Sequence, residues 1–424
     1  MLSTAHRLFT AALGLSEPWG VSDVRFDAEA GRIDFDVDFA KGSRFACPGC
    51  GAEHQAVHDT RKRSWRHLHF FQYEAYIHAR LPRVRCQQCG QTTQVAAPWA
   101  RPGSGFTQLF EALLVTLSAS MPVNTVARLL GVGDDAIWRV LSHYVESARE
   151  KADYSAVRAV GVDETASRRG QRYITLFHDF DGQRLLFACE GRNQGTLEQF
   201  AQDLSEHGGD PEDVSAVCMD MSAAYQAGAR KHLPNAEITF DAFHVIQLAN
   251  EALEQVRRAE VKSEPGLRHS RWIWLKDRSR WSMRQINQFH DLRRSRLKTT
   301  RAWHLKEALR ELYACAADRE HAAILFNKWY QWARRCRLEP FKRLALTLNK
   351  HLQGVLNAFD SRLSNGRVEG INSLIQAAKA RARGYRTSYN LITMAYLIAG
   401  KLVHLPSTPY RRAAKPLPVI PGTA

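Results

Sequence analysis

The sequence predicts a multidomain α+β protein whose largest part is an α/β core interrupted by an all-helical insertion. Three observations support that class. Strand-like runs surround two CxxC pairs near the start, strands and helices follow a definite order from Val157 to about Asn250, and an Arg- and Trp-rich helical stretch precedes the last helical segment. The expected parts are a β-rich N-terminal domain at 1–103, a two-helix element at 104–152, the first part of the core at 153–254, the insertion at 255–347, the second part of the core at 348–404, and a proline-bearing tail at 405–424.

Composition bounds the partners. The 59 Lys and Arg outnumber the 43 Asp and Glu among 424 residues, a net charge of +16. Such an excess points to a polyanion, either nucleic acid or an anionic membrane surface. No apolar run approaches the ~20 residues that span a bilayer. Met1 to Leu15 lacks a strong basic lead and reads as a short helix rather than a signal peptide. The expectation is a cytoplasmic protein that meets nucleic acid.

In the N-terminal domain, Val24 to Phe26 and Ile33 to Val37 read as strands. Cys47-Pro48-Gly49-Cys50-Gly51 and Cys86-Gln87-Gln88-Cys89-Gly90 are paired knuckles. Two such thiolates can share one tetrahedral ion, and the glycine after each pair permits the turn that aims backbone amides at sulfur. Strand-like sequence between them, Tyr73 to Val84, makes this a zinc ribbon rather than a helix-bearing finger. One structural Zn2+ per chain is expected on Cys47, Cys50, Cys86 and Cys89, with a redox site or coincidental pairs as the competing reading. Four cysteines complete the shell, which leaves His54, His58, His67, His69 and His78 for surface or DNA-facing positions. Arg61 to Arg66, with Trp65 among them, suit phosphate contact or a solvated loop. Cys189, Cys218, Cys315 and Cys336 are scattered and read as lone thiols.

Asn124 to Leu130 reads as a capped short helix ending at Gly131, after which Asp134 or Asp135 caps a second helix through Ile137, Val140, Leu141 and Tyr144. Helix, glycine turn and helix form a helix-turn-helix DNA-reading element, although ordinary helical hairpins share the pattern. The second helix offers Arg139, Ser142 and His143 as readers.

The core carries the most chemistry. Arg158 to Asp163 reads as a strand with the acid at its end. Tyr173 to Phe177 and Arg184 to Ala188 flank Asp181-Gly182, a hairpin signal. Thr196 to His207 is an amphipathic helix, Val214 to Met219 a buried strand delivering Asp220, Ser222 to His232 a helix, Ala236 to Phe240 a strand ending in Asp241, and a helix starts at His244. The order β-β-β-α-β-α-β-α is that of a ribonuclease H-like sheet, in which the first and fourth strands are neighbours. Asp163 and Asp220 would then emerge side by side, where two carboxylates repel unless a cation neutralises them. A hard divalent ion is the natural answer. Glu369 supplies a third acid from a later helix, with Val368, Ile371, Leu374 and Ile375 as its apolar face and Glu369, Asn372, Ser373, Gln376 and Lys379 opposite.

The chain also resembles a known family over nearly its whole length: bacterial insertion-sequence DDE transposases of the ISL-three type. The resemblance rests on the cysteine knuckles, Gly161-Val162-Asp163-Glu164, Met219-Asp220-Met221-Ser222, Asp241-Ala242-Phe243-His244-Val245, Ser364 to Asn372, and Gly384-Tyr385-Arg386. Ala242 stands where a proline is expected. The resemblance implies two Mg2+ (or Mn2+) ions per active site on Asp163, Asp220 and Glu369, one activating water or a 3′-hydroxyl and the other the leaving oxygen. The expected partners are double-stranded DNA, both element ends and target, and a second copy in a homodimer or higher assembly associated with the bacterial nucleoid. Asp241, His244 and Asn372 are supporting residues, either positioning DNA or metal ligands or making structural hydrogen bonds.

The insertion crowds basic residues, among them Arg257, Arg258, Arg271, Lys276 and Arg280, with Trp272, Trp274, Trp281, Trp303, Trp329 and Trp332. The set suits a DNA backbone with an unstacked base, or a tryptophan core beneath a solvated basic face. Lys379, Arg383 and Arg386 follow the Glu369 position and are expected to contact phosphates near the cut. The rival readings are a zinc-ribbon and helix-turn-helix regulator with an inactive ribonuclease H-like domain, and a nuclease that cuts without joining.

Overall fold

A computed structural model describes residues 4–168, 172–293, 297–361 and 366–410; the side chains of Arg168, Arg172, Arg293 and Ser361 and those of residues 366–369 lie outside the description. The chain divides into two compact units, Met1–Tyr144 and Val145–Val403.

The first unit opens with helix α1 (Thr4–Ala12). Strands β1 (Trp19–Asp27), β2 (Arg32–Phe39), β3 (Arg44–Phe45), β4 (Gln55–Phe70), β5 (Tyr73–Arg85) and β6 (Thr92–Gln94) follow. They form one sheet in the order β1-β2-β5-β4-β3, with β6 paired to β5. Alternation decides the two faces of β2. Ile33, Phe35 and Val37 are buried, while Asp34, Asp36 and Asp38 face outward and pair with Arg32, Arg25 and Arg80. His78 donates to this set, 2.6 Å from Asp34, and His67 bonds Thr107 at 2.9 Å. These two histidines are therefore structural rather than DNA-facing. Trp65 is 2% exposed in the aromatic core against Trp99, and Arg66 pairs with Glu74. Only Arg61, Lys62, Arg63 and Ser64 of that basic run lie at the surface.

Helices α2 (Gln108–Ser120), α3 (Val123–Leu130) and α4 (Asp134–Arg149) complete this part. Thr107 caps α2 through Phe110 N. Gly131 ends α3 in the left-handed region, φ 65°, where glycine carries no Cβ penalty. Two expectations shift here. The residue before α3 is Pro122, without a side-chain cap, so Asn124 lies inside the helix. Asp134 and Asp135 occupy the first turn of α4 rather than a cap position, where the helix dipole favours acids. Glu111, fully buried on α2, accepts from Arg101, Ser104 and Tyr144 and so ties α4 to α2.

The second unit is built on strands β7 (Ala159–Arg168), β8 (Arg172–Asp179) and β9 (Arg184–Glu190), helix α5 (Gly195–Glu206), strand β10 (Ala216–Met219), helix α6 (Ala223–His232) and strand β11 (Glu237–Phe240). The sheet order is β11-β10-β7-β8-β9. β7, β8 and β9 are antiparallel neighbours, and β10 runs parallel to both β7 and β11. This is the ribonuclease H-like order, with first and fourth strands adjacent. The β8–β9 turn differs in detail from the sequence expectation. Gln183, not Gly182, takes the positive φ, 49°. Gly182 is needed for closeness instead, because a Cβ there would sit 2.3 Å from Asp179 Oδ2.

Helices α5 and α6 cover one face, packing Leu197, Phe200, Leu204 and Tyr225 on Val160, Val162, Phe177 and Val217. The helical stretch after β11, which holds the insertion, begins with α7 (Ala242–Glu260) and continues through α8 (Arg271–Leu275), α9 (Met283–Arg293), α10 (Lys298–Cys315), α11 (Arg319–Arg335), α12 (Glu339–Lys350) and α13 (Leu352–Ser361). Trp274, Trp303 and Trp329 are buried in its core and Trp281 packs against it. The indole N–H groups of Trp274 and Trp329 reach Ser270 Oγ and Leu305 O. Trp272 and Trp332 are exposed, 57% and 45%, so the tryptophans divide between the two readings. Arg257 is buried against Glu254 rather than free for DNA. The last helices are α14 (Gly366–Arg381) and α15 (Ser388–Ala399). Tyr396 on α15 accepts from Ala188 N on β9. Among the described residues no helix is long and apolar enough to cross a membrane.

Candidate active site

Register aligns three acids. β10 pairs with β7 through Cys218↔Gly161 and with β11 through Met219↔Phe240. Extending both ladders sets Asp220 opposite Asp163 on one side and Asp241 on the other. Parallel neighbours lie roughly 4.8 Å apart, so Asp220 and Asp241, just past the ends of β10 and β11, stand beside Asp163. That residue lies within β7 rather than at its end as the sequence suggested, because β8 keeps β7 paired as far as Arg168. Alternation sends Asp163 and Thr165 away from the face that Val160 and Val162 pack against α5 and α6.

Each acid is tethered by a local amide. Asp163 Oδ1 accepts from Glu164 N at 2.7 Å, Asp220 Oδ1 from Ser222 N at 2.9 Å, and Asp241 Oδ1 from Phe243 N at 3.0 Å. Burial holds the Asp163 carboxyl above its ordinary range, and the charges of Asp241 and Asp220 add to this. Burial also raises Glu164, with Asp220 adding to it. His244 Nδ1 lies 3.0 Å from Asp241 Oδ2. That bond raises the imidazole pKa and favours a cation beside the acids.

Helix α14 lies along β7 by a ladder of three side chains. Asn372 Nδ2 donates to Asp163 Oδ2, Gln376 Nε2 to Thr165 Oγ1, and Lys379 Nζ to the Ala166 carbonyl. Spacings of four and three residues keep the donors on one face of the helix. Glu369 lies one turn before Asn372 on the same helix, and its side chain falls outside the described residues. Ile371, Ile375 and Ala378 form the buried stripe of α14, whereas Leu374 is 54% exposed and does not belong to it. Lys379, read from sequence as a phosphate contact, is engaged with β7; Arg383 and Arg386 are exposed.

Glu164 and Tyr225 are the residues that sequence reading passed over. The Tyr225 hydroxyl lies 2.9 Å from Thr175 Oγ1 and also interacts with Glu164, joining α6 to the acid-bearing strand. Glu164 stands within the quoted Gly161 to Glu164 motif, so only its partner was hidden.

The four knuckle cysteines form a second centre, in the first unit. Their Sγ atoms all lie within 4.8 Å of one another, and among the described residues they are the one such His, Cys, Asp or Glu group. Gly51 N and Gly90 N return to the Cys47 and Cys86 carbonyls at 2.9 and 3.0 Å, and both glycines have positive φ. Amides of Cys50 and Gly49 pull the Cys47 thiol down to about 6, while Cys50, against the Ala52 amide, is pushed up to about 12 by the neighbouring thiols and burial; a shared cation would remove that opposition. Gln55 Oε1, at the start of β4, accepts from Gln87 N in the second knuckle. Among the candidate DNA contacts, Arg139 and His143 are exposed one turn apart on α4. Arg271 lies 3.6 Å from Glu254 with its guanidinium over Trp272.

Comparison with known proteins agrees with this geometry. Residues 160–395 match a DDE family described as a transposase, residues 95–145 match the helix-turn-helix domain of transposase family ISL3, and residues 43–89 match the zinc-finger of transposases IS204/IS1001/IS1096/IS1165. The chain is similar to the transposase for insertion sequence element IS1001 of Bordetella parapertussis, 27% identical over 388 residues, 90% of this chain and 95% of that protein. It is also similar to the transposase for insertion sequence element IS1557 of Mycobacterium tuberculosis, 28% identical over 442 residues, 96% of this chain and 97% of that protein.

Proposed function

The chain belongs to the ISL3 family of transposases, and from that membership we propose that Asp163, Asp220 and Glu369 together hold two Mg2+ or Mn2+ ions for the cleavage and joining of DNA strands. The protein is a DNA-binding transposase with a structural zinc ribbon and a helix-turn-helix. A regulator with an inactive core is not favoured, because the transposase match extends over the acid-bearing sheet and α14.

The observation that carries the metal reading is the register of Asp163 and Asp220 on neighbouring parallel strands. Their oxygens suit a hard divalent ion, and the Asp163 carboxyl is raised by burial first, with the charges of Asp241 and Asp220 adding to it. When bound, such ions activate the attacking oxygen and stabilise the leaving one. The protein's own groups do the positioning. Glu164 N and Asn372 fix the two oxygens of Asp163, and Ser222 N orients Asp220. Gln376 and Lys379 hold α14 along β7, and Glu369, one turn before Asn372 on that helix, is the third acid in this reading. The His244 imidazole, held by Asp241 and raised in pKa by it, stands beside the acids to donate to a phosphate oxygen.

Arg139 and His143 on α4, Arg271 beside the exposed Trp272, and Lys379, Arg383 and Arg386 beyond the acids are the DNA contacts in this reading. Lys379 uses the ammonium donors that Ala166 leaves free. One Zn2+ per chain occupies the knuckles. The parts of the chain act as a ribbon at 1–103, a reader at 104–152, a core at 153–254 and 348–404, and an insertion at 255–347. Joining two element ends calls for a homodimer or larger assembly.

The test uses DNA carrying the inverted repeats that flank the reading frame, incubated with Mg2+. Wild-type protein cuts and joins; Asp163→Ala binds the same DNA and does neither. Cuts without joined product favour a nuclease, and undiminished joining by Asp163→Ala rejects the proposal.

A further inference from the structure

Beside β11 the second unit carries a cleft of about 580 Å³ that the acid site does not use. Its charge is one-sided: Arg230, Lys350 and His351 line it and no carboxylate does. Neither Arg230 nor Lys350 has an ion-pair partner among the described residues, whereas Arg149, Arg310 and Arg319 of the same unit pair with Asp203, Asp277 and Asp360. Burial, then Lys350 and Arg230, push the His351 pKa down. Gathered cations need an anion for the reason that gathered carboxylates need a metal.

We propose that this cleft binds the phosphodiester backbone of DNA as the strand leaves the active site past β11, an inference that rests on the strand-transfer reading above. Two features position it. β11 flanks β10, the strand that leads into Asp220. Gln226, on the cleft wall, donates to the carbonyl of Met221, the residue next to Asp220. Packing rather than a loop sets the far wall. A Cβ on Gly354 would meet the Phe240 ring at 2.4 Å, so α13 lies directly on β11, and Asn357 bonds the edge carbonyl of Ile238.

Phosphate, not base, is the matching chemistry. Gln353 accepts from Arg319 through its oxygen, which leaves its amide hydrogens to donate. The Phe240 ring is buried and meets His351 edge to face at 5.5 Å, so it offers no open face for stacking. Arg230 on α6 and Lys350 at the end of α12 come from separate elements, which suits successive phosphates better than one small anion.

The test compares full-length wild type, R230A/K350A, R230Q/K350Q and the charge-keeping R230K/K350R on a mixed-sequence duplex across a salt series, with inorganic phosphate as a separate ligand. Each phosphate contact contributes roughly 0.9 to the slope of log affinity against log salt. The alanine and glutamine pairs are expected to lower the slope by roughly two contacts' worth, and R230K/K350R to keep it. The glutamine pair decides the question if the alanine pair fails to fold. Wild-type binding with an unchanged slope in the neutral pairs overturns this inference alone. Loss of inorganic phosphate binding with an unchanged DNA slope overturns it in favour of a small-anion site. A wild-type chain that binds no duplex overturns the strand-transfer reading together with it.

Discussion

Replacing Asn372 by alanine removes the amide that donates to Asp163 Oδ2. A hydrogen bond to a charged group contributes about 1.5–3 kcal/mol, and one pKa unit corresponds to about 1.4 kcal/mol. Burial already holds this carboxyl above its ordinary range, with Asp241 and Asp220 adding to the effect. Without the amide the ionised form is disfavoured further, by up to that hydrogen-bond contribution, and its pKa climbs. Water can replace part of the lost bond, because Asp163 is only half-buried, so the lower end of that range is expected. The sign follows from which form binds a cation. Ionised Asp163 does, so the acid limb of metal-dependent cleavage moves to higher pH and more Mn2+ is needed for half-maximal rate below it. The assay is the Mn2+ concentration for half-maximal strand cleavage across the neutral range, for wild type and Asn372→Ala. Above the limb the variant should recover most of the wild-type rate. An acid limb at the same pH in both proteins would refute the argument that Asn372 stabilises ionised Asp163.

Asp163→Asn tests the same site through stability. A carboxyl with a raised folded-state pKa favours the fold at low pH and opposes it as pH rises through the unfolded and then the folded pKa. Metal-free Asp163→Asn should therefore melt no lower than wild type at neutral pH, with the difference gone in acid. Mn2+ should raise the wild-type melting temperature, by about 2.7 kcal/mol of stabilisation at a hundredfold excess over Kd, and leave the variant unmoved; a marked loss of stability in the neutral, metal-free variant contradicts the electrostatic account. Cys50→Ser should abolish the zinc content found by elemental analysis and loosen the first unit, and full zinc content in that variant would remove the four-thiolate site. Glu111→Ala leaves Arg101, Ser104 and Tyr144 without their buried carboxylate, an expected loss of about 3–5 kcal/mol in urea unfolding; a loss below about 1 kcal/mol would match an exposed pair instead.

The sheet was legible because most of its strands carry their own boundaries, β7 excepted, which runs past Asp163 to Arg168 along β8. Asp163, Asp220 and Asp241 each close an apolar run, and the order of runs and helices admits few topologies, so the adjacency of β7 and β10 followed from pattern alone. The cysteine knuckles were legible for the same local reason. What escaped depends on partners distant in sequence. The stripe of α14 is Ile371, Ile375 and Ala378, and periodicity alone could not exclude Leu374, whose exposure depends on where β7 lies. Lys379 reads as a DNA contact, and its hydrogen bond to the distant Ala166 carbonyl has no signal in the sequence. Trp272 and Trp274 are two residues apart, yet one is exposed and one buried, a distinction fixed by how α8 packs. Arg230 and Lys350 lie 120 positions apart, and no spacing rule joins them.

The most direct measurement of the central claim is a crystal structure of the protein with Mn2+ and element-end DNA, with the ions located by anomalous scattering. The account predicts manganese bridged by carboxylate oxygens of Asp163, Asp220 and Glu369 where β7 passes the end of β10, against the phosphate to be cut. Manganese bound elsewhere, or a Glu369 carboxylate that stays apart from the other two in the DNA complex, would contradict it.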